Sequence, residues 1–295
     1  MNKEFIISTE STSDLSDAYC VKNNITQLKL YNIVNGETFG GDSGRNIEAK
    51  ELYNRMRDGA AVSTAAVSPE AFKDFFKAAA AKGKNVLHIS FSSALSCCFS
   101  NAKLAADEVM EEYPEADIRV IDSLSASAGQ GLLVDYCVRL KQNGADINNV
   151  AEWAEDNKLN INHEFTVDDL KYLRKGGRIS VTSALIGTII KIKPVLHMNN
   201  PGQLKPLSNV RGRNKSITTL ISNMEKNFIP NVTDKVFISH GDCFDEAILL
   251  GDLVKEKFGI SDISYSYISP AIGSHSGPGT LALFYLGKNR DNSVS

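Results

Sequence analysis

The sequence lacks the short motifs that mark the commonest nucleotide, hydrolase and metal sites. It has no G-x-x-x-x-G-K-[ST] loop, so we expect no nucleotide to be handled by this chain alone. It has no G-x-S-x-G elbow, since Ser96 follows Ala94-Leu95 and precedes two cysteines. The five cysteines include no C-x-x-C pair, and the adjacent Cys97 and Cys98 fit neither a zinc cluster nor a disulfide framework. We therefore predict reduced thiols, no metal and no cofactor.

The chain also has little net charge and no unbroken hydrophobic run. Its 295 residues carry a formal charge of -3, which predicts no general attraction to nucleic acid or to an anionic membrane. The most apolar stretch, Val181–Leu196, is interrupted by Lys191, Lys193 and Pro194, which argues against a membrane span. A strand-like segment begins at Phe5 and leaves no room for a signal peptide. We expect a cytoplasmic protein with at most transient membrane contact.

The first half of the chain alternates between strand and helix patterns. This alternation predicts an α/β/α domain with a mainly parallel sheet over residues 1–160. The predicted strands are 5–8, 27–34 with 37–39 as a hairpin around Asn35-Gly36, 86–91 and 118–122, and the predicted helices are 47–57, 71–81, 129–143 and 147–157.

The second half has a different pattern of predicted strands and helices. This pattern predicts an α+β domain with a mixed or antiparallel sheet over residues 161–295. Strands are predicted at 163–167, 194–198, 204–210, 235–239, 263–268 and 280–286, and helices at 168–173, 213–227 and 245–257. A rigid glycine-rich turn is predicted over Ile272–Gly279, and a tight basic turn over Lys175–Ser180.

Hydroxyl-bearing side chains follow the predicted strand at 86–91, where a helix begins. Unpaired backbone N–H groups at such a junction favour a small anion such as a carboxylate. The serines could equally serve as helix caps, and both interpretations stay open at this point. Because ligands collect at the carboxyl ends of parallel strands, the turns at 8–14, 64–68, 92–96 and 122–125 are predicted to share one rim.

His275 lies between serines and glycines that permit close approach of the backbone to a ligand. A lone loop histidine is more often structural. A serine hydrolase that pairs Ser96 with His275 is an enzymatic alternative, weakened by the missing elbow.

Two basic clusters, at 171–178 and 211–215, lie at turns of an otherwise acidic protein. Such clusters are usually solvated faces, but they could dock an acidic or phosphate-bearing partner. No aromatic side chains alternate with the basic ones, which disfavours nucleic-acid binding.

Taken together, these segments resemble the DegV family of bacterial fatty-acid-binding proteins, which includes the acyl-binding subunit of fatty acid kinase. The resemblance covers nearly the whole chain and is strongest where G-G-R-I-S and H-x-G-P-G occur together. The segments that carry it are Ser8–Leu15, Thr64–Pro69, Ile89–Ser96, Leu170–Ser180, Lys193–Leu196, Val210–Lys215 and Gly273–Gly279.

The resemblance implies two α/β domains with a long-chain fatty acid in a tunnel between them. It implies that a separate ATP-dependent kinase subunit phosphorylates the carboxylate to an acyl phosphate, while this chain does not catalyse. The ligand-binding residues that it implies are Thr64, Ser93, Ser96, Gly273 and His275. Arg211, together with Arg178, is implied to dock the kinase subunit.

The chain departs from the family pattern at Ala65, Cys97 and Cys98, and it has Glu10 where the family has aspartate. We expect the head-group site to differ most from its relatives at the two cysteines. Two alternatives remain: a Ser/His-dependent lipid hydrolase or acyltransferase, and a lipid-sensing regulatory protein whose basic turns contact a partner.

Overall fold

The computed structural model describes residues 4–180 and 192–294 of the chain. Within these residues the strands are β1 (Phe5–Glu10), β2 (Ile25–Leu28), β3 (Tyr31–Val34), β4 (Glu37–Gly40), β5 (Val62–Ala65), β6 (Asn85–Ser90), β7 (Ile118–Asp122), β8 (Ile161–Thr166), β9 (Ile192–Met198), β10 (Leu204–Arg211), β11 (Lys235–His240), β12 (Asp262–Tyr267) and β13 (Leu281–Leu286). The α-helices are α1 (Asp17–Lys22), α2 (Ala49–Arg57), α3 (Pro69–Ala80), α4 (Cys98–Glu112), α5 (Ala128–Gln142), α6 (Ile147–Asn157), α7 (Lys171–Lys175), α8 (Arg213–Asn227), α9 (Phe244–Phe258) and α10 (Pro270–Ser276).

These elements build two large sheets and one small one, in an α/β fold. The first sheet is wholly parallel, with the order β2-β1-β6-β7. The second is mixed, with the order β10-β9-β8-β13-β11-β12, in which only β11 and β12 are parallel. The predicted parallel sheet in the first half and mixed sheet in the second half are confirmed. The boundary between residues 160 and 161 stays a prediction.

The predicted strand over residues 27–34 is wrong in one respect, because the structure divides it between two sheets. β2 pairs with β1 in the parallel sheet, whereas β3 pairs with β4 and β5 in a three-stranded antiparallel sheet. The Asn35-Gly36 hairpin is confirmed, and both of its residues have positive φ, as a two-residue hairpin turn requires. The chain leaves one sheet and enters another without a glycine or a proline to mark the change.

The predicted glycine-rich turn over residues 272–279 is also corrected. Its first part belongs to α10, which begins with Pro270 at a position where a missing N–H costs no hydrogen bond. Only Gly277 and Gly279 have the positive φ that stops a helix. His275 therefore lies in the last turn of a helix rather than in a loop.

The long apolar stretch considered for a membrane span lies partly outside the described residues, since residues 181–191 are not described. In the described ranges no helix is both long enough and apolar enough to cross a membrane.

Helix α5 lies between the two large sheets and is buried on nearly all sides. It contacts β1 and β6 of the parallel sheet and β8, β11 and β13 of the mixed sheet. Two glycines make this fit possible. A Cβ atom at Gly131 would overlap the carbonyl oxygen of Ser13, and one at Gly129 would overlap the imidazole of His163. Hydrophobic side chains from both halves join around α5 into a single cluster.

We predict that Gly131→Ala destabilises the protein although alanine is the better helix former. Alanine would ordinarily gain about 0.5–1 kcal/mol in a helix. Here the added methyl group meets backbone, which cannot rotate away, and overpacking costs about 1–3 kcal/mol. Urea unfolding would measure the change. Ser222→Ala on an exposed face of α8 is the control, with an expected change within about 0.5 kcal/mol. A gain in stability for Gly131→Ala would contradict the close packing of α5.

Candidate functional site

A cavity of about 250 Å³ lies between the two large sheets, beside the start of α5. Most of its wall is apolar, with side chains such as Phe91, Phe165, Met198 and Phe284. Its described lining residues are Leu30, Thr64, Ala66, Phe91, Leu95, Ser96, Cys97, Ala126, Ser127, His163, Phe165, Leu173, Arg178, Met198, Leu204, Ile268, Ala271, Ile272, His275, Ser276, Thr280, Ala282 and Phe284. A concave, mainly apolar space with a smaller number of polar groups is typical of a site for a mainly hydrophobic ligand.

One polar group of the cavity is built by residues from distant parts of the sequence. A hydrogen bond of 2.7 Å joins Thr64 Oγ1 on β5 to His275 Nε2 on α10. Ser96 and Cys97, directly before α4, and Arg178, three residues after the end of α7, also line the cavity. The structure therefore brings together Thr64, Ser96 and His275, three of the five residues for which the sequence predicted ligand binding.

His275 is held by packing as well as by its hydrogen bond. The imidazole lies against Gly176, where a Cβ atom would overlap Nδ1. Burial, and then the nearby Arg178 guanidinium, lower the pKa of His275 to about 4. The imidazole is thus neutral at physiological pH and takes part in hydrogen bonds without a positive charge.

Arg178 is the only lysine or arginine among the described lining residues. Its Nε donates to the Leu95 carbonyl oxygen at 3.2 Å and its Nη1 to the Gly176 carbonyl oxygen at 2.5 Å. No hydrogen bond to the described residues uses Nη2. The sequence assigned Arg178 to partner docking, whereas the structure places it at the cavity wall with donor capacity to spare for an anion.

Ser96 lies two residues before α4, the helix that follows β6. Its Oγ accepts a hydrogen bond from the Cys98 N–H at 3.2 Å and donates to Cys98 Sγ at 3.3 Å. The two interpretations of this serine are therefore compatible, since one hydroxyl both supports the start of α4 and lines the cavity. The other serines of the turn differ: the Ser90 hydroxyl donates to Glu10 Oε1 at 2.6 Å and the Ser92 hydroxyl to the Gly202 carbonyl oxygen at 2.9 Å.

Ser93, Gly273 and Arg211 do not line the cavity. Ser93 is exposed, and its backbone N–H donates to Asp122 Oδ1 at 3.1 Å. Gly273 is buried where a Cβ atom would overlap the Tyr53 hydroxyl, so its contact here is with protein. Arg211 is exposed at the end of β10.

The positions at which this chain departs from the family pattern differ in whether they line the cavity. Ala65 is exposed on β5 and lies outside the lining. Cys97 does line the cavity and is exposed, whereas Cys98 is buried. None of the five cysteines is bonded to another. In the part of the chain that the structure describes, no group of three potential ligands could hold a metal ion.

Sequence reasoning missed two buried polar arrangements near the cavity. His163 on β8 lines it; the Nδ1–H donates to the Ile161 carbonyl oxygen at 3.0 Å, and Nε2 accepts from the Ala126 N–H at 3.4 Å. Burial lowers the pKa of His163, which keeps this ring neutral. A single histidine inside a predicted strand was the only signal available.

The second missed arrangement surrounds Glu10 at the end of β1. Its carboxylate is fully buried and pairs with His88 Nε2 at 3.1 Å. It also accepts from the Phe91 N–H at 3.0 Å and from Gln130 Nε2 on α5 at 2.7 Å. Burial raises the pKa of Glu10, but His88 and the hydrogen bonds from Ser90 and Phe91 outweigh it and lower the pKa overall. The hydroxyl-rich first turn thus closes a structural network rather than lining the cavity.

Comparison with known proteins agrees with this fold. A family model described as an uncharacterised protein of the DegV family matches residues 4–288. The chain belongs to the DegV family. A DegV domain-containing protein of Clostridium perfringens is 37% identical over 289 residues, which cover 98% of this chain and 99% of that one.

Solved structures of DegV proteins share the architecture. A stearic-acid-binding protein from Eubacterium ventriosum is 26% identical, with a TM-score of 0.86 over 97% of this chain and 99% of that one. A Thermotoga maritima protein, whose structure revealed a fatty-acid-binding function, is 27% identical, with a TM-score of 0.82 over the same shares. The family suggested by the sequence motifs is therefore confirmed.

The hydrogen bonds of the site do not favour the hydrolase alternative. His275 Nε2 is bonded to Thr64, and the Ser96 hydroxyl is bonded to Cys98. A nucleophilic serine needs a base within hydrogen-bond reach of its own oxygen.

We predict that acidification destabilises the protein through His275. The folded-state pKa of about 4 lies below the ordinary value of 6.5, so the unfolded chain binds the proton more tightly. The contribution of the neutral imidazole to the free energy of unfolding is complete above pH 6.5. As the pH falls toward 4, up to about 3 kcal/mol of it is lost. Unfolding at several pH values, compared with His275→Gln, would measure this slope.

NMR titration of the His275 imidazole tests whether the charge of Arg178 contributes to the low pKa of His275. Arg178→Gln should raise the His275 pKa, since it removes the nearby positive charge. Arg174→Gln, at an exposed position on α7, should leave the pKa in place. Equal effects of the two variants would disprove the influence of Arg178.

Proposed function

We propose that this DegV protein binds a long-chain fatty acid in the cavity, with the carboxylate at Thr64, Ser96, Arg178 and His275. The observation that carries the proposal is an apolar cavity with a single cationic side chain among its described lining residues. Relatives that bind stearic acid or other fatty acids support the ligand class.

The two parts of the ligand would contribute differently. Each buried methylene group contributes about 0.8 kcal/mol, so a tail of a dozen or more carbons gives on the order of 10 kcal/mol before ordering costs. A hydrogen bond to a charged carboxylate adds about 1.5–3 kcal/mol. The tail thus supplies most of the affinity, while the polar groups decide which end lies beside Arg178.

The neutral state of His275 suits this role. A protonated imidazole beside Arg178 would put two positive charges against one carboxylate, whereas the neutral ring adds a hydrogen bond through Thr64 without that repulsion. The charge balance of the complex then rests on Arg178 alone.

We further propose that the chain does not catalyse but presents the carboxylate to a separate ATP-dependent fatty acid kinase subunit, which forms the acyl phosphate. Arg211 is exposed and free of ion pairs among the described residues, so it is available for docking. Arg213 is not equally available, because it is tied to Glu246 at 2.6 Å and to the Gly279 carbonyl oxygen at 2.7 Å. This role places the protein in the cytoplasm, with at most transient membrane contact.

We expect the double variant Thr64→Ala, Ser96→Ala to remain folded and to bind fatty acid more weakly. It removes two hydroxyl groups near the carboxylate, which predicts a loss of about 10-fold or more in affinity. Extraction and mass spectrometry of co-purified lipid, followed by a stearate-binding assay, would measure retention. Thr218→Ala with Ser222→Ala on the exposed face of α8 is the matched control. Unchanged retention in the site variant would count against the proposal.

Two arginine variants should separate binding from docking. Arg211→Glu should keep fatty-acid binding and lose kinase coupling, because the side chain is exposed and outside the cavity. Arg178→Glu should lose both, because it replaces the cavity's cation with a repelling charge. Acyl phosphate formation with a fatty acid kinase subunit, beside direct lipid binding, provides the two readouts.

Lys22→Glu at an exposed position on α1 is the control for charge reversal. If Arg211→Glu keeps kinase coupling, Arg211 is not a docking residue. That result would leave the proposed lipid site unaffected. Intact lipid binding in Arg178→Glu would instead show that Arg178 does not bind the carboxylate. If both variants couple normally, neither the kinase-docking role nor the regulatory role of the basic turns is supported.

A further inference from the structure

A second cleft, of about 430 Å³, lies on the other side of Leu30 and Ala271 from the fatty-acid cavity. Among the described lining residues, only these two line both spaces. The cleft is bounded by the segment after β1, by β3 and the residues before α2, and by the end of β12. None of Thr64, Ser96, Arg178 and His275 reaches it.

The charged side chains of this cleft are mostly acidic. Asp14, Asp17 and Glu48 line it, against a single basic residue, Lys29. Within the described residues none of the three carboxylates takes part in an ion pair. Such a cleft attracts a cation and repels the carboxylate of a fatty acid.

Asp14 is the buried member of this group, with only 8% of its surface exposed. Its Oδ1 accepts from the Ser269 N–H at 2.8 Å, and its Oδ2 accepts from the Ser127 hydroxyl. Neither partner carries a charge. Burial raises the pKa of Asp14 to about 6, as expected for a carboxylate that lacks a cationic partner.

Asn32, on β3, is a second and independent sign of a missing ligand. It lines the cleft, is 6% exposed, and its Oδ1 has no hydrogen-bond donor in the described structure. An unpaired buried acceptor is costly, by about 1–3 kcal/mol, and is uncommon in native proteins. A donor that enters the cleft would remove this cost.

We propose that the cleft binds a small molecule that carries a primary ammonium group. Such a group brings a positive charge for Asp14 and three N–H donors, which suit a cleft lined by both a carboxylate and an unpaired amide oxygen. A quaternary ammonium brings the charge without the donors, and an alcohol brings a donor without the charge. Tyr265 and Tyr267 also line the cleft and can pack against the ligand's carbon chain.

Backbone-amide NMR titrations of the full-length protein with n-butylammonium, tetramethylammonium and 1-butanol test the proposal. We expect n-butylammonium to shift amides around Asp14, Asn32 and Ser269, and to bind about 10-fold or more tightly than either of the other probes. Equal binding of the three, or shifts confined to the fatty-acid cavity, would overturn the proposal.

Variants locate the site. Asp14→Asn keeps the shape of the side chain and should weaken n-butylammonium binding about 10-fold or more. Because a buried position can affect folding, the exposed pair Asp17→Asn with Glu48→Gln provides a second test, with an expected loss of about 2- to 5-fold. Glu111→Gln on α4, outside the cleft, is the control and should change nothing. Unaltered affinity in both site variants would also overturn the proposal.

Discussion

The position of α5 between two sheets is the constraint on which the rest of the molecule depends. The helix approaches both neighbours closely because Gly129 and Gly131 present no side chain to them. Gln130, between these glycines, reaches the buried Glu10 of the parallel sheet. The segment that leads into α5 supplies Ala126 and Ser127 to the cavity wall. The same close fit that joins the two halves therefore also defines the edge of the space between them.

Much of the fold could be predicted from the sequence because its signals are local. The parallel sheet and its helices follow from hydrophobic periodicity, and α8 was predicted at its observed bounds. The errors arose where tertiary contacts decide. The chain passes from one sheet to another between β2 and β3, although its sequence pattern continues unbroken there. Helix α10 forms despite its glycine and serine residues because it packs on Tyr53 and Tyr172. Such contacts join residues far apart in sequence, so a local pattern cannot reveal them.

The candidate site was predictable in part for the same reason. Thr64, Ser96 and His275 carry recognisable motifs and meet at one cavity. Ser93 belongs to the same motif as Ser96, but it is exposed and does not line the cavity. Arg178 was recognised as important, but only the path of the chain after α7 shows that it faces the cavity. His163 lies in a fully buried strand that carries other polar residues as well, and no motif in the sequence marks it as a ligand-binding residue.

The contact between Gly176 and His275 joins the G-G-R-I-S and H-x-G-P-G segments of this chain into one steric unit. Gly176 has an ordinary helical backbone conformation, so its φ does not require glycine. What requires it is the imidazole that lies where a side chain would begin. The two positions therefore cannot vary independently: a larger residue at 176 is compatible only with a displaced or smaller residue at 275. A chimaera between two members of this family should exchange both segments together, even though about a hundred residues separate them in the chain.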